Sequence, residues 1–147
     1  MPKFAENPKA RFDYEILENL SAGIELTGGE VKSIRLGKIS LAGAFVAVRG
    51  GEAYLLNANI EPYQPKNIPD EYNPTRPRRL LLSKKELENL IDTEETKGLT
   101  MVPISVYNKG RYIKLDVGIG RGKKQFDKRQ AIKKRDIERD IKRTLKR

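Results

Sequence analysis

The side chains that most often do chemistry are missing from this sequence. Its 147 residues include no histidine and no cysteine. That removes the commonest general base, the thiolate nucleophile, and the imidazole and sulfur ligands of most transition-metal sites. Without histidine, its serines have no conventional triad. Asp13, Glu15, Glu30 and Asp116 are the carboxylates a magnesium-dependent nuclease would draw on, but they are scattered and form no recognisable ligand cluster. What the chain has in excess is Lys and Arg, 30 against 20 Asp and Glu, for a net charge of +10. The chemistry of those residues is phosphate neutralisation, with release of counterions from a polyanion. The expectation is a binding protein rather than an enzyme, with no metal and no cofactor.

The excess sits at one end. Counted on the sequence, residues 121–147 hold 13 Lys/Arg and 4 Asp/Glu, a net of +9, whereas residues 1–120 hold 17 and 16, a net of +1. A near-neutral body with a basic arm suits docking by the body and threading of the arm along a polyanion. Smaller basic groups lie in the body: Lys32 with Arg35, Arg76 with Arg78 and Arg79, and Lys109 with Arg111 and Lys114. Each alone reads as readily as a solvated face. Together, on a neutral body, they point to positive charge gathered on particular faces. Phe126 is the one aromatic of the arm, placed either to pack back on the body or to stack on a base. Tyr107 and Tyr112 flank an expected turn and read as cross-strand partners rather than stacking platforms. Gly118, Gly120 and Gly122 do not make a phosphate loop, because Val117 stands where the Walker spacing needs glycine and Lys124 where it needs Ser or Thr.

The elements that must position these residues follow from periodicity. Phe12, Tyr14, Ile16, Ile24 and Leu26 share a parity, which predicts a long strand with a bulge or bend at Ala22-Gly23. The stretch Asn7-Pro8-Lys9-Ala10-Arg11 before it reads as irregular. Thr27-Gly28-Gly29-Glu30 and Ser83-Lys84-Lys85-Glu86 have the form of helix capping boxes, with Gly37 and Gly98 as the stops. Gly50-Gly51 joins two apolar runs, 44–49 and 52–56, as a hairpin turn does. A proline-rich loop spans 61–79, and two strands, 101–107 and 112–119, close the body. The sum is mainly β, an α+β or small-barrel body of five or six strands with two short helices. A Greek-key barrel of oligonucleotide-binding type fits the pattern, as do other small barrels. The expected division is 1–120 for the oligonucleotide-binding-type barrel and 121–147 for the basic C-terminal tail. In the tail, Ile137, Ile141 and Leu145 recur at i, i+4 and i+8, a thin stripe that suggests a segment disordered alone and helical when bound. No apolar run approaches bilayer length and no N-terminal stretch has secretory-signal character, so a cytoplasmic protein without membrane contact is expected.

Several motifs, in order along nearly the whole chain, resemble one family. They are Asn7-Pro8-Lys9-Ala10-Arg11-Phe12-Asp13-Tyr14, the run from Ala22 to Lys38, Asn59-Ile60-Glu61-Pro62-Tyr63, Pro74-Thr75-Arg76, Arg79-Leu80-Leu81-Leu82, and Gly122-Lys123-Lys124-Gln125-Phe126-Asp127-Lys128-Arg129. The chain is similar in these to the SsrA-binding (SmpB) proteins of bacterial trans-translation. That resemblance implies an oligonucleotide-binding barrel that holds the tRNA-like domain of transfer-messenger RNA and delivers it to stalled ribosomes. It implies the ribosome's decoding centre and mRNA channel as the tail's target, and an elongation factor with GTP as a partner in delivery.

By position, Leu81 and Lys114 match family residues tied to RNA binding, and Tyr14 matches an aromatic near the same surface. Lys32, Arg35, Arg76 and Arg79 complete the expected RNA-binding set. Gly122, Lys123, Lys124, Asp127, Lys128 and Arg129 match the ribosome-contacting tail motif, with Phe126 and Leu145 expected beside them. Ser21 stands where many relatives carry a glutamate implicated in RNA binding, so that role is not carried over. Phe126 stands where some relatives have histidine, and it can stack but cannot exchange a proton. A ribosomal-protein-like component bound to ribosomal RNA is the alternative.

Overall fold

The computed structural model describes residues 2–63 and 72–123. Nine strands and three helices run through them in the order β1 (Lys3–Glu6), α1 (Ala10–Asp13), β2 (Tyr14–Ile24), α2 (Gly28–Arg35), β3 (Ile39–Ser40), β4 (Phe45–Arg49), β5 (Glu52–Leu56), β6 (Asn59–Ile60), β7 (Arg78–Leu81), α3 (Lys84–Glu95), β8 (Thr100–Lys109) and β9 (Tyr112–Gly122). Seven strands form one sheet in the order β1-β8-β9-β2-β7-β5-β4, every neighbouring pair antiparallel, and β3 pairs with β6 apart from it. The sheet curls until β4 lies against β8, and α3 packs on β4, β5 and β8. This is the expected mainly β architecture of oligonucleotide-binding type with short helices. The one-turn α1 is an addition to the two expected helices.

Alternating burial makes the core. Leu55, Leu80, Val106, Leu115 and Val117 are all buried, with Ile34 of α2 and Leu90 of α3 on top of them. Local chemistry fixes the helix starts. In both α2 and α3 the capping box is complete: the Thr27 and Ser83 hydroxyls accept from the N–H of Glu30 and Glu86, whose carboxylates accept in return from the N–H of Thr27 and Ser83. Between β4 and β5, Gly50 and Gly51 have φ of 59° and 78°, the two positive values a two-residue hairpin turn demands.

Three local expectations are corrected. The stretch Asn7-Pro8-Lys9-Ala10-Arg11, expected to be irregular, is so only as far as Lys9: ahead of it β1 pairs with β8, and Ala10–Asp13 winds one turn, so Phe12 belongs to α1 and β2 starts at Tyr14. Ala10 is buried there against Val102 and Ile104, which is why the turn docks. The irregularity of β2 is not at Ala22-Gly23, where pairing with β9 is continuous. It falls between Ile16 and Glu18, which face Gly120 and Ile119, leaving Leu17 as the extra residue. At this bulge a Cβ on Gly120 would stand 2.1 Å from the Glu15 carbonyl oxygen, so only glycine fits. Finally, Tyr107 and Tyr112 are not opposite each other: Tyr107 faces Lys114 and Tyr112 faces Lys109.

Candidate nucleic-acid interface

The structure sorts the basic groups of the body by whether a carboxylate answers them. The group Arg76, Arg78 and Arg79 is answered. Along β7 the side chains alternate, so Arg78 and Leu80 point inward while Arg79 and Leu81 point out. Arg78 is completely buried, and Glu30 of α2 is buried beside it. Arg78 donates to Glu30 Oε2 from Nε at 2.9 Å and from Nη2 at 2.6 Å, and satisfies its remaining donors on the carbonyls of Ala58 and Pro74, both at 2.9 Å, and of Arg76 at 3.2 Å. Arg76 adds a donor from Nε to Oε2 at 3.1 Å and another from Nη2 to Oε1. Tyr72 donates to the Ile60 carbonyl at 2.8 Å and touches the same carboxylate. Burial pushes the Glu30 carboxyl upward, but the donors from Arg76, the Thr27 N–H and Arg78 outweigh it and hold the pKa at about 2, below the ordinary 4.5. Burial first, and then the Glu30 charge, raise the Tyr72 phenol. This network ties α2, β6 and β7 together with the chain just before β7. Arg79 is exposed, yet it pairs with Glu25 at 2.9 Å and Glu52 at 3.8 Å.

Sequence reasoning offers Glu30 as a helix cap or a scattered nuclease carboxylate and Arg78 as part of a basic surface group, and neither reading pairs the two. The signal was there in the strand period: Arg78-Arg79-Leu80-Leu81 read at period two puts Arg78 on the same face as Leu80, and a buried arginine needs a carboxylate.

The other basic residues diverge. Lys32 and Arg35, expected to share a face of α2, reach different neighbours. Lys32 Nζ lies 5.3 Å from the Tyr63 ring centroid. Arg35 spans to the β8–β9 turn, donating to Asn108 Oδ1 at 3.3 Å and to the Arg111 carbonyl at 3.0 Å. Leu81 and Lys114 do come together. With Leu26, Val31, Arg111 and Tyr112 they surround an open depression of about 330 Å³ where β2, β7 and β9 meet α2. Leu81 is 47% exposed and Tyr112 68%, and neither Arg111 nor Lys114 forms an ion pair among the described residues.

Tyr14 is not on this surface. It opens β2 opposite Gly122, whereas Gly23, opposite both Lys114 and Leu81, is at the far end of the strand. Tyr14 packs instead with Ile16 on the small cluster under α1. At that same end Lys123 donates its N–H to the Asp13 carbonyl at 2.8 Å and its Nζ to the Arg11 carbonyl at 2.7 Å. Ser21 hydrogen-bonds the Tyr107 hydroxyl across the sheet. Lys124, Phe126, Asp127, Lys128, Arg129, Leu145 and the Ile137/Ile141/Leu145 stripe lie outside the described residues. The scattered carboxylates stay scattered: Glu15 pairs with Arg121, Asp116 accepts from Asn19, and among the described residues no three ligating side chains gather to hold a metal. No helix among those residues is long and apolar enough to cross a membrane.

Among the described residues, the depression at Leu81 and Lys114 carries basic side chains that no carboxylate answers, a surface that a polyanion can occupy, and comparison with known proteins narrows the class. The family model described as SmpB protein matches residues 4–147. The SsrA-binding protein of Prochlorococcus marinus subsp. pastoris is 53% identical over 147 residues, covering 99% of this chain and 83% of that one. The SsrA-binding protein of Enterococcus faecalis is 46% identical over 151 residues, covering 99% and 97%. Among solved structures, a chain described under "tmRNA-SmpB: a journey to the center of the bacterial ribosome" superposes with a TM-score of 0.66 at 46% identity, over 86% of this chain and 92% of that one. With the match running from the first strand to the last residue, the chain belongs to the SmpB family of SsrA-binding proteins.

Proposed function

We propose that this chain is an RNA-binding adaptor of trans-translation. Its body binds the tRNA-like domain of transfer-messenger RNA and brings that RNA to stalled ribosomes. The observation that carries the reading is the depression at Leu81 and Lys114: Arg111 and Lys114 face no described carboxylate, while Arg76, Arg78 and Arg79 are all paired. Folded RNA is read by phosphate, shape and unstacked bases, and a shallow basic surface with exposed apolar and aromatic groups suits it. The names of the relatives, and the RNA and ribosome of the solved match, point the same way.

In this reading residues 1–120 choose the RNA and the basic segment from 121 onward reaches the ribosome: Lys124, Phe126, Asp127, Lys128, Arg129 and Leu145 enter the mRNA channel near the decoding centre, while Gly122 and Lys123, held on β2 and α1, mark where that segment starts. An elongation factor with GTP accompanies delivery, the work is done in the cytoplasm, and the chain itself catalyses nothing. Sequencing the RNA that co-purifies with the tagged full-length chain tests the core of it. A single abundant tRNA-like species is expected. Ribosomal RNA retained at one copy per idle ribosome through a high-salt wash would replace the proposal with a ribosomal-protein-like role.

A further inference from the structure

We infer that Tyr112 is a stacking platform for one unpaired RNA base, with Arg111 and Lys114 holding the phosphates on either side of that base. The inference rests on the RNA-binding reading above and gives that surface a base contact in addition to its backbone contacts.

Tyr112 is placed where the fold gains little from it. It is the first residue of β9, 68% exposed, and its hydroxyl has no hydrogen-bond partner among the described residues. Its in-register partner is Lys109, not another aromatic, so it serves no cross-strand ring pair. What it does border is the depression floored by Leu26, Val31 and Leu81. At about 330 Å³ this is at the lower limit of ligand pockets, roughly 300–1,000 Å³, which suits a single flat ring system rather than the groove of a helix. No carboxylate lines it.

Charge sets the occupant. Lys114 Nζ lies over the Tyr112 ring, 5.8 Å from its centroid, so one face of the ring already carries a cation and a base would stack on the other. Arg111 precedes the tyrosine, and its carbonyl is held by Arg35, which fixes the turn that presents both. An exposed ring flanked by two cations that form no ion pair among the described residues matches a nucleotide: the base stacks on the ring and the neighbouring phosphates meet the cations. An acidic peptide would use the cations but would have no need of the ring.

The test is the affinity of the full-length chain for an in vitro transcribed tRNA-like domain, measured over a series of salt concentrations. Tyr112→Ala should weaken binding by roughly 5- to 150-fold, with the salt slope unchanged, because stacking releases no counterions. Tyr112→Phe keeps the ring and should bind within about twofold of the parent chain. The exposed position predicts an unchanged melting temperature for both variants, which separates lost contact from lost fold. Substituting 2-aminopurine at the unpaired positions of the RNA should reveal one site whose fluorescence is quenched by the parent chain and not by Tyr112→Ala. Parent-like affinity of Tyr112→Ala, or equal losses for Ala and Phe, would overturn the inference. A parent chain that prefers this RNA no more than an unrelated tRNA would instead defeat the adaptor reading itself, whatever Tyr112 does.

Discussion

Replacing Glu30 with glutamine removes one charge and almost no volume, which makes it a clean probe of the buried network. Glutamine can still accept the Thr27 N–H, so the α2 cap survives. What is lost is the counter-charge of Arg78, a guanidinium with no exposure to water. Arg76 is 31% exposed and can turn to solvent, so Arg78 carries most of the penalty. Breaking a buried ion pair from one side costs about 3–5 kcal/mol. The titration of Glu30 gives a consistent figure: a pKa of about 2 in the fold against an ordinary 4.5 corresponds to about 3 kcal/mol. At roughly 4 °C per kcal/mol for a domain of this size, the melting temperature should fall by about 12–20 °C.

The pH dependence is more diagnostic. Because the folded value lies below the unfolded one, the contribution is fully present above pH 4.5 and is lost as pH falls toward 2. Chemical denaturation followed by far-ultraviolet circular dichroism should therefore show Glu30→Gln far less stable than the parent at pH 6, with the gap narrowing steadily on acidification. A gap under about 1 kcal/mol at pH 6, or one that does not change between pH 6 and 3, would refute the argument.

Other expectations concern the RNA. Lys114→Ala should weaken binding of the tRNA-like domain and reduce the salt slope by about one, as loss of a phosphate contact does; an unchanged slope would remove Lys114 from the backbone contacts. Arg35 is engaged with Asn108 and the Arg111 carbonyl, so Arg35→Ala should lower affinity with the slope retained and speed amide exchange in the 108–112 turn; a slope reduced by about one would make it a phosphate contact instead. Ending the chain after Lys123 keeps the bonds to Arg11 and Asp13, so it should leave RNA affinity nearly intact while abolishing ribosome rescue in a reconstituted translation assay; loss of RNA affinity would contradict the division of labour.

What the sequence made legible was whatever depends on neighbours in the chain. Both capping boxes and the Gly50-Gly51 turn are local agreements between adjacent residues, and they stand as read. Glu30 marks the boundary, almost atom by atom. Its bond with Thr27 spans three residues and was legible. Its bonds with Arg76 and Arg78 span 46 and 48 residues and were not. The same holds for β1, which has little apolar pattern of its own and is a strand because β8 offers it an edge. The Leu17 bulge likewise follows from the register of β9, not from anything in β2 alone. In the interface, resemblance tied Leu81 and Lys114 to RNA binding, and it is the fold that sets them around one depression. Charge pairing was invisible, so Arg76 and Arg79 looked as free as Lys114.

The ladder between β2 and β9 has a consequence for how the two ends of the molecule can communicate. Gly23 faces Lys114 at one end and Tyr14 faces Gly122 at the other, a span of roughly 30 Å at the usual rise per residue. The barrel is therefore a caliper with a fixed opening. Whatever is gripped beside Lys114 is held at a set offset from the point where Lys123 leaves the sheet, and the bonds from Lys123 to Arg11 and Asp13 keep that point from sliding. Lengthening both strands by two residues would move the jaws apart while preserving which side chains face inward; lengthening by one would turn every side chain beyond it to the wrong face. Distance here is set by the strand, so the offset between Lys114 and Lys123 changes by about 7 Å for each two residues added in regular pairing.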